Sequence, residues 1–155
     1  KDGWYDAPPL RGMLAFGRVY AAWLFSQQFM RERLYTRIGL QSRRDVQLLT
    51  QNYFLQNDAN DLLGMADTWL NGDISANPRF NGNLKAALKA ITCRAIVMPG
   101  RTDQYFPPED SVLEVKQMPN AELRVIPSGF GHGAGFGMDP ADNAFIDEAL
   151  RELLA

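Results

Sequence analysis

Apolar residues recur at the spacing of helix faces throughout residues 1–80, where no segment alternates as a strand does. The stretch 10–35 is rich in Ala, Leu, Met, Phe and Arg, which predicts a helix. The Ile-Gly-Leu sequence at residues 38–40 is expected to end it. Two further helices are predicted over 42–54, with a serine as N-cap, and over 58–71, followed by a Gly-Asp pair. We therefore expect residues 1–80 to form a helical region.

Residues 81–155 follow a different pattern, in which short apolar runs alternate with helical segments. The predicted elements are a helix over 84–91, a strand over 94–98, a helix over 108–118, a strand over 123–127 and a final helix that begins at Pro140. Two strands separated by a helix predict a parallel pair joined by a crossover. Because parallel strands normally lie inside larger sheets covered on both faces, this α/β region is expected to need neighbouring strands from elsewhere.

The final helix has the most complete signals. Asp139 is its expected N-cap and Pro140 its first helical residue. Its apolar side chains are predicted to form one stripe, made of Phe145, Ile146, Ala149, Leu150, Leu153 and Leu154. A boundary between the helical and α/β regions is expected near residues 77–81.

Composition limits the classes of function. The 155 residues are 46% apolar and 22% charged, which is typical of a folded globular domain, and a net charge of −2 gives no basic surface for nucleic acid. No apolar run is long enough to span a bilayer. The single cysteine, Cys93, excludes an internal disulfide and a cysteine-rich metal site, and we expect it to be a small buried apolar residue.

The first residues suggest the interior of a longer polypeptide. Residues 1–5, Lys-Asp-Gly-Trp-Tyr, contain neither an initiator methionine nor a signal-peptide pattern. We expect a cytoplasmic protein, although a targeting signal could precede Lys1.

Each predicted strand is followed by a loop of unusual composition. We call residues 100–110 the acid loop and residues 127–137 the histidine loop. The histidine loop contains His132, the only histidine in the chain, flanked by glycines. Because imidazole titrates near neutral pH, His132 is a candidate general base. The alternative is a structural histidine on a glycine-rich turn.

Asp103 in the acid loop is the best candidate to orient that imidazole. A histidine base needs an acceptor on one ring nitrogen, and loops that follow neighbouring parallel strands meet at one edge of a sheet. The alternatives are that Asp103 closes a turn with Thr102 or caps the next helix, or that Glu109 or Asp110 is the partner. Those two carboxylates are expected in the first turn of the next helix, where they interact favourably with its dipole.

A nucleophile is missing from the sequence. None of the five serines lies in a G-x-S-x-G turn between a strand and a helix; they are Ser26, Ser42, Ser75, Ser111 and Ser128. Ser128 is close to His132 in the same loop and poorly placed to be its partner. Cys93 precedes its strand and so lies at the opposite end. The sequence therefore predicts a nucleophile supplied by an upstream segment.

Other kinds of site find little support. One histidine does not suffice for the usual zinc sites, and the glycines around it lack the lysine and hydroxyl of a phosphate-binding loop. The aromatic residues of the helical region predict packed helices first and the wall of an acyl or alcohol site second; they are Trp4, Tyr20, Trp23, Phe25, Phe29 and Trp69.

Several of these segments resemble one enzyme family. Residues 100–107 (GRTDQYFP), 118–123 (MPNAEL) and 130–132 (FGH) resemble the end of the homoserine O-acetyltransferase-like α/β-hydrolases. Residues 9–13 (PLRGM) and 57–63 (NDANDLL) are similar to the helical lid of that family. The resemblance implies the C-terminal part of an α/β-hydrolase fold over 81–155, preceded by a lid over 1–80.

The resemblance also implies a reaction. Asp103 would be the acid and His132 the base of a catalytic triad, and the two strands would be the seventh and eighth of the hydrolase sheet. The serine, its turn and the oxyanion hole would lie upstream of Lys1, on a cleaved or continuous part of the same protein or on a separate subunit. The family acts by acyl transfer through a covalent acyl-enzyme.

One position departs from that family. Homoserine acetyltransferases usually have an aspartate after the histidine, thought to help hold the amino-acid substrate, and this chain has Gly133. We therefore expect an ester hydrolase that acts on a small ester or acyl substrate and needs no cofactor. The alternatives are an O-acetyltransferase with acetyl-CoA as donor and a homoserine-like acceptor, or a non-catalytic binding module of the same fold. A homodimer is left open.

Overall fold

Helices make up the first half of the chain, and two short parallel strands alternate with helices in the second half. The computed structural model describes residues 5–155. The elements are α1 (Leu10–Leu24), α2 (Gln27–Arg31), a 3-10 turn (Leu34–Ile38), α3 (Arg43–Phe54), α4 (Ala59–Asn71), α5 (Leu84–Lys89), β1 (Ala95–Val97), α6 (Pro108–Val115), β2 (Ala121–Leu123), a second 3-10 turn (Gly131–Gly135) and α7 (Pro140–Leu154).

The predicted helix over 10–35 is wrong in its extent. It ends at Leu24, where Phe25 becomes extended, and a new helix starts because the Ser26 hydroxyl accepts a hydrogen bond from the N–H of Phe29. The same hydroxyl donates to the carbonyl of Gly129 at 2.5 Å. This contact with the second half of the chain stabilises a break that helix propensity alone does not predict.

The predicted helix starts elsewhere are confirmed, but the helices predicted over 84–91 and 108–118 end earlier, at Lys89 and Val115. Ser42 and Asp45 form a reciprocal capping box at the start of α3. Asp58 and Asp139 cap α4 and α7. Gly39 ends the first 3-10 turn with a φ of 81°, in the left-handed region that glycine adopts without strain.

The apolar stripe of α7 is only partly buried. Ala149 is buried and Phe145 is half-buried, but Leu150 and Leu154 are exposed. Within residues 5–155, α7 packs on the second 3-10 turn and on β1. Those contacts cover one side of the helix and leave the outer leucines in solvent.

Strands β1 and β2 pair in parallel, with Ala95 opposite Ala121. The pairing starts two residues before the predicted second strand. Backbone hydrogen bonds then continue it, from Arg124 N–H to the Val97 carbonyl and from Ile126 N–H to the Pro99 carbonyl, each at 2.9 Å. All three β1 residues are half-buried, whereas parallel strands are usually covered on both faces. This two-stranded sheet is compatible with part of an α/β-hydrolase fold.

Cys93 is exposed, so the expectation of a buried cysteine is wrong. It lies before β1, at the amino end of the strand, where Thr92 and Arg94 are also exposed. No helix within residues 5–155 is long and apolar enough to cross a membrane.

The core joins the helical region to the histidine loop. Its buried residues are Ala21, Leu24, Phe25, Phe29, Tyr35, Val46 and Phe130. Phe130 belongs to the histidine loop, and its ring meets that of Phe29 edge-on at 5.1 Å. The helices therefore support the loop that carries His132. The boundary expected near 77–81 stays a prediction.

Candidate active site

The acid and histidine loops lie side by side at the carboxyl ends of β1 and β2. Thr102 joins them through one hydroxyl group. Its Oγ1 donates to the carbonyl of Ser128 at 3.1 Å and accepts from the N–H of Gly131 at 3.0 Å. Since both groups belong to the histidine loop, this threonine fixes the distance between the two loops.

Two glycines permit the close approach of these loops. A Cβ on Gly100 would lie 2.9 Å from the carbonyl oxygen of Gly131. A Cβ on Gly131, whose φ is 66°, would lie 2.7 Å from the backbone nitrogen of Ser26. Larger residues at these positions would separate the acid loop from the histidine loop, and the histidine loop from α2.

Asp103 and His132 form the pair on which the site is built. Asp103 Oδ2 lies 3.0 Å from His132 Nδ1. The side chain of Asp103 is 7% exposed and that of His132 22%. With an acceptor on Nδ1, the imidazole favours the tautomer whose Nε2 carries a free lone pair. The other carboxylate oxygen, Oδ1, accepts from the N–H groups of Tyr105 at 2.7 Å and Phe106 at 3.2 Å.

The competing carboxylates lie elsewhere. Glu109 and Asp110 occupy the first turn of α6 and are exposed. Among the hydrogen bonds of residues 5–155, the imidazole has Asp103 as its carboxylate partner. The structure thus brings together the two predicted residues, while their catalytic role remains a prediction.

Four of the five serine hydroxyls have structural partners. Ser26 and Ser42 cap helices, Ser75 donates to Asp73, and Ser128 donates to Asp142. Ser111 differs, because it is buried on α6 and lines the smaller cavity beside His132. This proximity was not predicted from the sequence. No hydrogen bond between Ser111 and His132 occurs in the part of the chain described.

Two buried carboxylates, Asp139 and Asp142, lie at the start of α7 beside the histidine loop. Ser128 Oγ donates to Asp142 Oδ2 at 2.6 Å and accepts from the N–H of Phe130 at 3.1 Å. Burial raises the pKa of the Asp142 carboxyl. Burial would do the same to Asp139, but the Ala141 N–H and the Arg37 guanidinium hold the pKa of Asp139 below its usual value. The arrangement ties the start of α7 to the loop.

Two cavities meet at the imidazole. The smaller, of about 390 Å³, lies at the strand ends and includes Gly100, Asp103, Ser111, His132 and Ala134 among its lining residues. The larger, of about 690 Å³, lies between the acid loop and helices α1, α3 and α4. Its lining residues are Phe16, Val19, Tyr20, Trp23, Phe54, Leu62, Met65, Ala66, Trp69, Gln104, Tyr105, Phe106 and His132.

The aromatic residues named from the sequence divide between core and cavity. Tyr20, Trp23 and Trp69 line the larger cavity, a position compatible with the second interpretation, which stays a prediction. Phe25 and Phe29 are buried in the core, where their rings stack at 4.1 Å. Trp4 lies outside the described residues.

Three further aromatic rings, whose position at the site was not predicted from the sequence, surround the imidazole. The ring centres of Tyr105, Phe106 and Phe136 lie 4.6, 5.4 and 5.4 Å from that of His132. Each of these residues lies within a few positions of Asp103 or His132 in the sequence, and this proximity could have indicated their place at the site. Burial raises the pKa of the Tyr105 phenol, with a further contribution from its hydrogen bond with Tyr20.

Metal-ligating residues do not cluster in the described structure. No group of three or more His, Cys, Asp or Glu side chains that could hold a metal ion occurs within residues 5–155. The expectation that the site needs neither metal nor cofactor stays a prediction.

Known proteins similar to this chain are named as ester hydrolases. A probable esterase of Corynebacterium glutamicum is 34% identical over 143 residues, which cover 92% of this chain and 40% of the relative. An ethyl acetate hydrolase of Pseudomonas veronii is 33% identical, over 93% of this chain and 41% of the relative. No family model matches the chain.

A solved structure gives the same result. The crystal structure of an acetylester hydrolase from Corynebacterium glutamicum superposes with a TM-score of 0.87 at 33% identity, over 93% of this chain and 41% of that one. The chain thus spans about two fifths of the length of the relatives it matches.

Proposed function

We propose that this chain supplies the acid and the base of a serine-dependent ester hydrolase. The observation that carries the proposal is the 3.0 Å contact between Asp103 Oδ2 and His132 Nδ1, at the carboxyl ends of two parallel strands and between two cavities. The names of the three similar proteins described above, an esterase and two ester hydrolases, support the same reaction.

The reaction follows from the pair. His132 Nε2 accepts the proton of a serine hydroxyl while the serine oxygen attacks the ester carbonyl. The tetrahedral intermediate expels the alcohol, which takes its proton from the imidazolium, and leaves an acyl-enzyme. Water then attacks the acyl-enzyme with His132 again as base, so that the acid is released and the serine restored. Asp103 holds the ring and stabilises its charged form throughout.

The nucleophile, in this proposal, belongs to a segment outside this chain. Four serine hydroxyls are engaged in caps and hydrogen bonds, and Ser111 lies on a helix rather than on a strand-to-helix turn. The smaller cavity, which borders His132 and the end of β1, is where an incoming hydroxyl would meet the imidazole.

Gly133 favours hydrolysis over acetyl transfer to a homoserine-like acceptor. A Cβ at this buried position would lie 3.3 Å from the ring of Phe25 and 3.7 Å from the sulfur of Met138. The aspartate that homoserine acetyltransferases are expected to have here would therefore require the Phe25 ring to shift by a few tenths of an ångström. The acetyl-CoA-dependent transferase is accordingly the second candidate, and a non-catalytic module is the third.

Two other expectations also remain proposals. They are a cytoplasmic location and the partnership of this chain with the segment that carries the serine. A homodimer is open in the same sense.

Labelling with a fluorophosphonate tests the proposal. This reagent modifies activated serines. The protein is purified with every segment of its polypeptide, labelled and digested, and the modified residue is located by mass spectrometry. We expect one labelled serine, outside the residues of this chain, and no labelling in a His132→Ala variant. Labelling of Ser111 would overturn the placement of the nucleophile. Absence of any labelled serine would favour the non-catalytic module.

A further inference from the structure

Helix α4 buries none of its residues, yet it presents one regular face to the larger cavity. That face consists of Leu62, Met65, Ala66 and Trp69, whose spacing of three and four residues places them on one side of a helix. Leu70, which follows Trp69, points away and is 85% exposed. The apolar face of α4 therefore serves the cavity rather than the core.

The chemistry of the larger cavity is that of an uncharged ligand. Among the described residues that line it, none has a carboxylate, an ammonium or a guanidinium group. Its polar side chains are His132, Gln104 and the phenols of Tyr20 and Tyr105, which bond to each other. A charged group placed here would lose part of its hydration without gaining a counter-charge from the described lining residues.

Trp69 is the cavity residue of α4 that reaches the acid loop through aromatic contacts. Its ring meets that of Tyr105 edge-on at 5.6 Å and lies 6.1 Å from that of Phe106. Tyr105 in turn lies 4.6 Å from the ring of His132. One aromatic ring thus separates Trp69 from the imidazole. The indole therefore forms part of the cavity wall at a distance of two rings from His132.

We propose that the larger cavity holds the alkyl chain of an uncharged ester and that Trp69 determines how long this chain can be. The inference rests on the proposed ester hydrolysis, whose cleaved bond lies at His132. An alkyl chain that extends from that bond past Tyr105 meets Trp69. Truncation of the indole opens the wall without removing a core residue.

The dependence of rate on chain length tests this proposal. Each methylene group that becomes buried in the transition state raises kcat/KM by about fourfold, until the chain meets the wall. In the Trp69→Ala variant the optimum moves to longer chains, and the longest substrates gain relative to acetate. Leu70→Ala is the matched control, since it shortens a neighbouring side chain on the outer face and should leave the optimum in place.

Two substrate series identify which half of the ester lies in the cavity. One series varies the acyl chain, as p-nitrophenyl acetate, butyrate, hexanoate and octanoate. The other varies the alcohol, as ethyl, butyl, hexyl and octyl acetate. A shift of the optimum with Trp69→Ala in either series, absent with Leu70→Ala, is the expected result and assigns the chain to that half. An unchanged optimum in both series would overturn the role of Trp69.

A charged ester tests the character of the cavity. Monomethyl glutarate and methyl pentanoate have acyl chains of the same length, and one of them ends in a carboxylate. We expect kcat/KM to be about a hundredfold or more higher for methyl pentanoate, because the cavity offers the carboxylate no counter-charge. Equal kcat/KM values would overturn the assignment to uncharged esters.

A binding measurement separates this inference from the proposed function. Trp23 and Trp69 both line the cavity, so hexyl acetate should change the tryptophan fluorescence of the chain. The change should weaken in Trp69→Ala and persist in Leu70→Ala. Binding without any ester turnover would overturn the hydrolase proposal and retain the cavity assignment. Turnover without a fluorescence change would overturn the cavity assignment alone.

Discussion

One carboxylate oxygen of Asp103 lies 3.0 Å from Nδ1 of His132. Its other oxygen accepts hydrogen bonds from the backbone N–H groups of Tyr105 and Phe106. The carboxylate is therefore held from both sides. The acid loop supplies the N–H groups that orient the carboxylate, and the histidine loop supplies the imidazole that contacts it. The distance between those loops is consequently the quantity on which the site depends.

Removal of the Thr102 hydroxyl should loosen the two loops. A Thr102→Val variant keeps the shape of the side chain but leaves the Ser128 carbonyl and the Gly131 N–H without their partner. We expect the free energy of unfolding to fall by about 1–3 kcal/mol. Urea unfolding followed by circular dichroism measures this change.

Thr68→Val is the control for that experiment. The Thr68 hydroxyl donates to the carbonyl of Gly64 at an exposed position on α4. Its removal should change the free energy of unfolding by no more than about 0.5 kcal/mol. Equal losses in the two variants would show that Thr102 does not have the joining role assigned to it.

Gly131 and Gly64 should respond in opposite directions to alanine. At Gly131 the φ of 66° and a Cβ position 2.7 Å from the Ser26 nitrogen predict a loss of about 2 kcal/mol or more. At Gly64 a Cβ meets nothing within 4 Å inside a helix, so alanine should add about 0.5–1 kcal/mol. Thermal unfolding of both variants compares them directly. A Gly131→Ala protein as stable as the parent would refute the close approach of the histidine loop to α2.

The pair Arg37–Asp139 predicts a defined pH dependence. The pKa of Asp139 is lower in the folded chain than its usual value of 3.8, because the Ala141 N–H and Arg37, 3.0 Å away, outweigh the effect of burial. The ionised form is thus favoured by folding. Its contribution to stability is complete above the unfolded pKa and is lost as the pH falls through the folded pKa.

An Asp139→Asn variant checks this dependence. Asparagine can still cap α7, but it cannot ionise. The parent should be more stable than the variant near neutral pH, and the difference should shrink as the pH falls below about 4. Urea unfolding over that pH range supplies the measurement. A difference that grows on acidification would have the wrong sign for this account.

The sequence predicted best those features that depend on neighbouring residues. The caps at Ser42 and Asp139 depend on a side chain and the N–H groups that follow it within a turn. The strand order and the positions of the two loops followed from periodicity. The acid and histidine loops could therefore be placed at one edge of a sheet before their contact was seen.

Features that depend on distant contacts could not be predicted in the same way. The helix break at Ser26 involves the carbonyl of Gly129, 103 residues further along. The division of the aromatic residues, with Phe29 in the core and Trp69 at the cavity, depends on which helix faces pack together. The position of Ser111 beside His132 likewise arises from the packing of α6 against the strand ends.

The central claim is that Asp103 and His132 act together in ester hydrolysis, and the kinetics of three variants test it most directly. The measurement is kcat/KM for p-nitrophenyl acetate, with this chain in the presence of the segment that carries the serine. Asp110→Asn is the matched control for Asp103→Asn, because Asp110 is an exposed carboxylate in the first turn of α6. We expect Asp103→Asn to lower kcat/KM by about 10⁴-fold, His132→Ala by about 10⁶-fold, and Asp110→Asn to leave it unchanged. Retention of full activity by Asp103→Asn or His132→Ala would contradict the account.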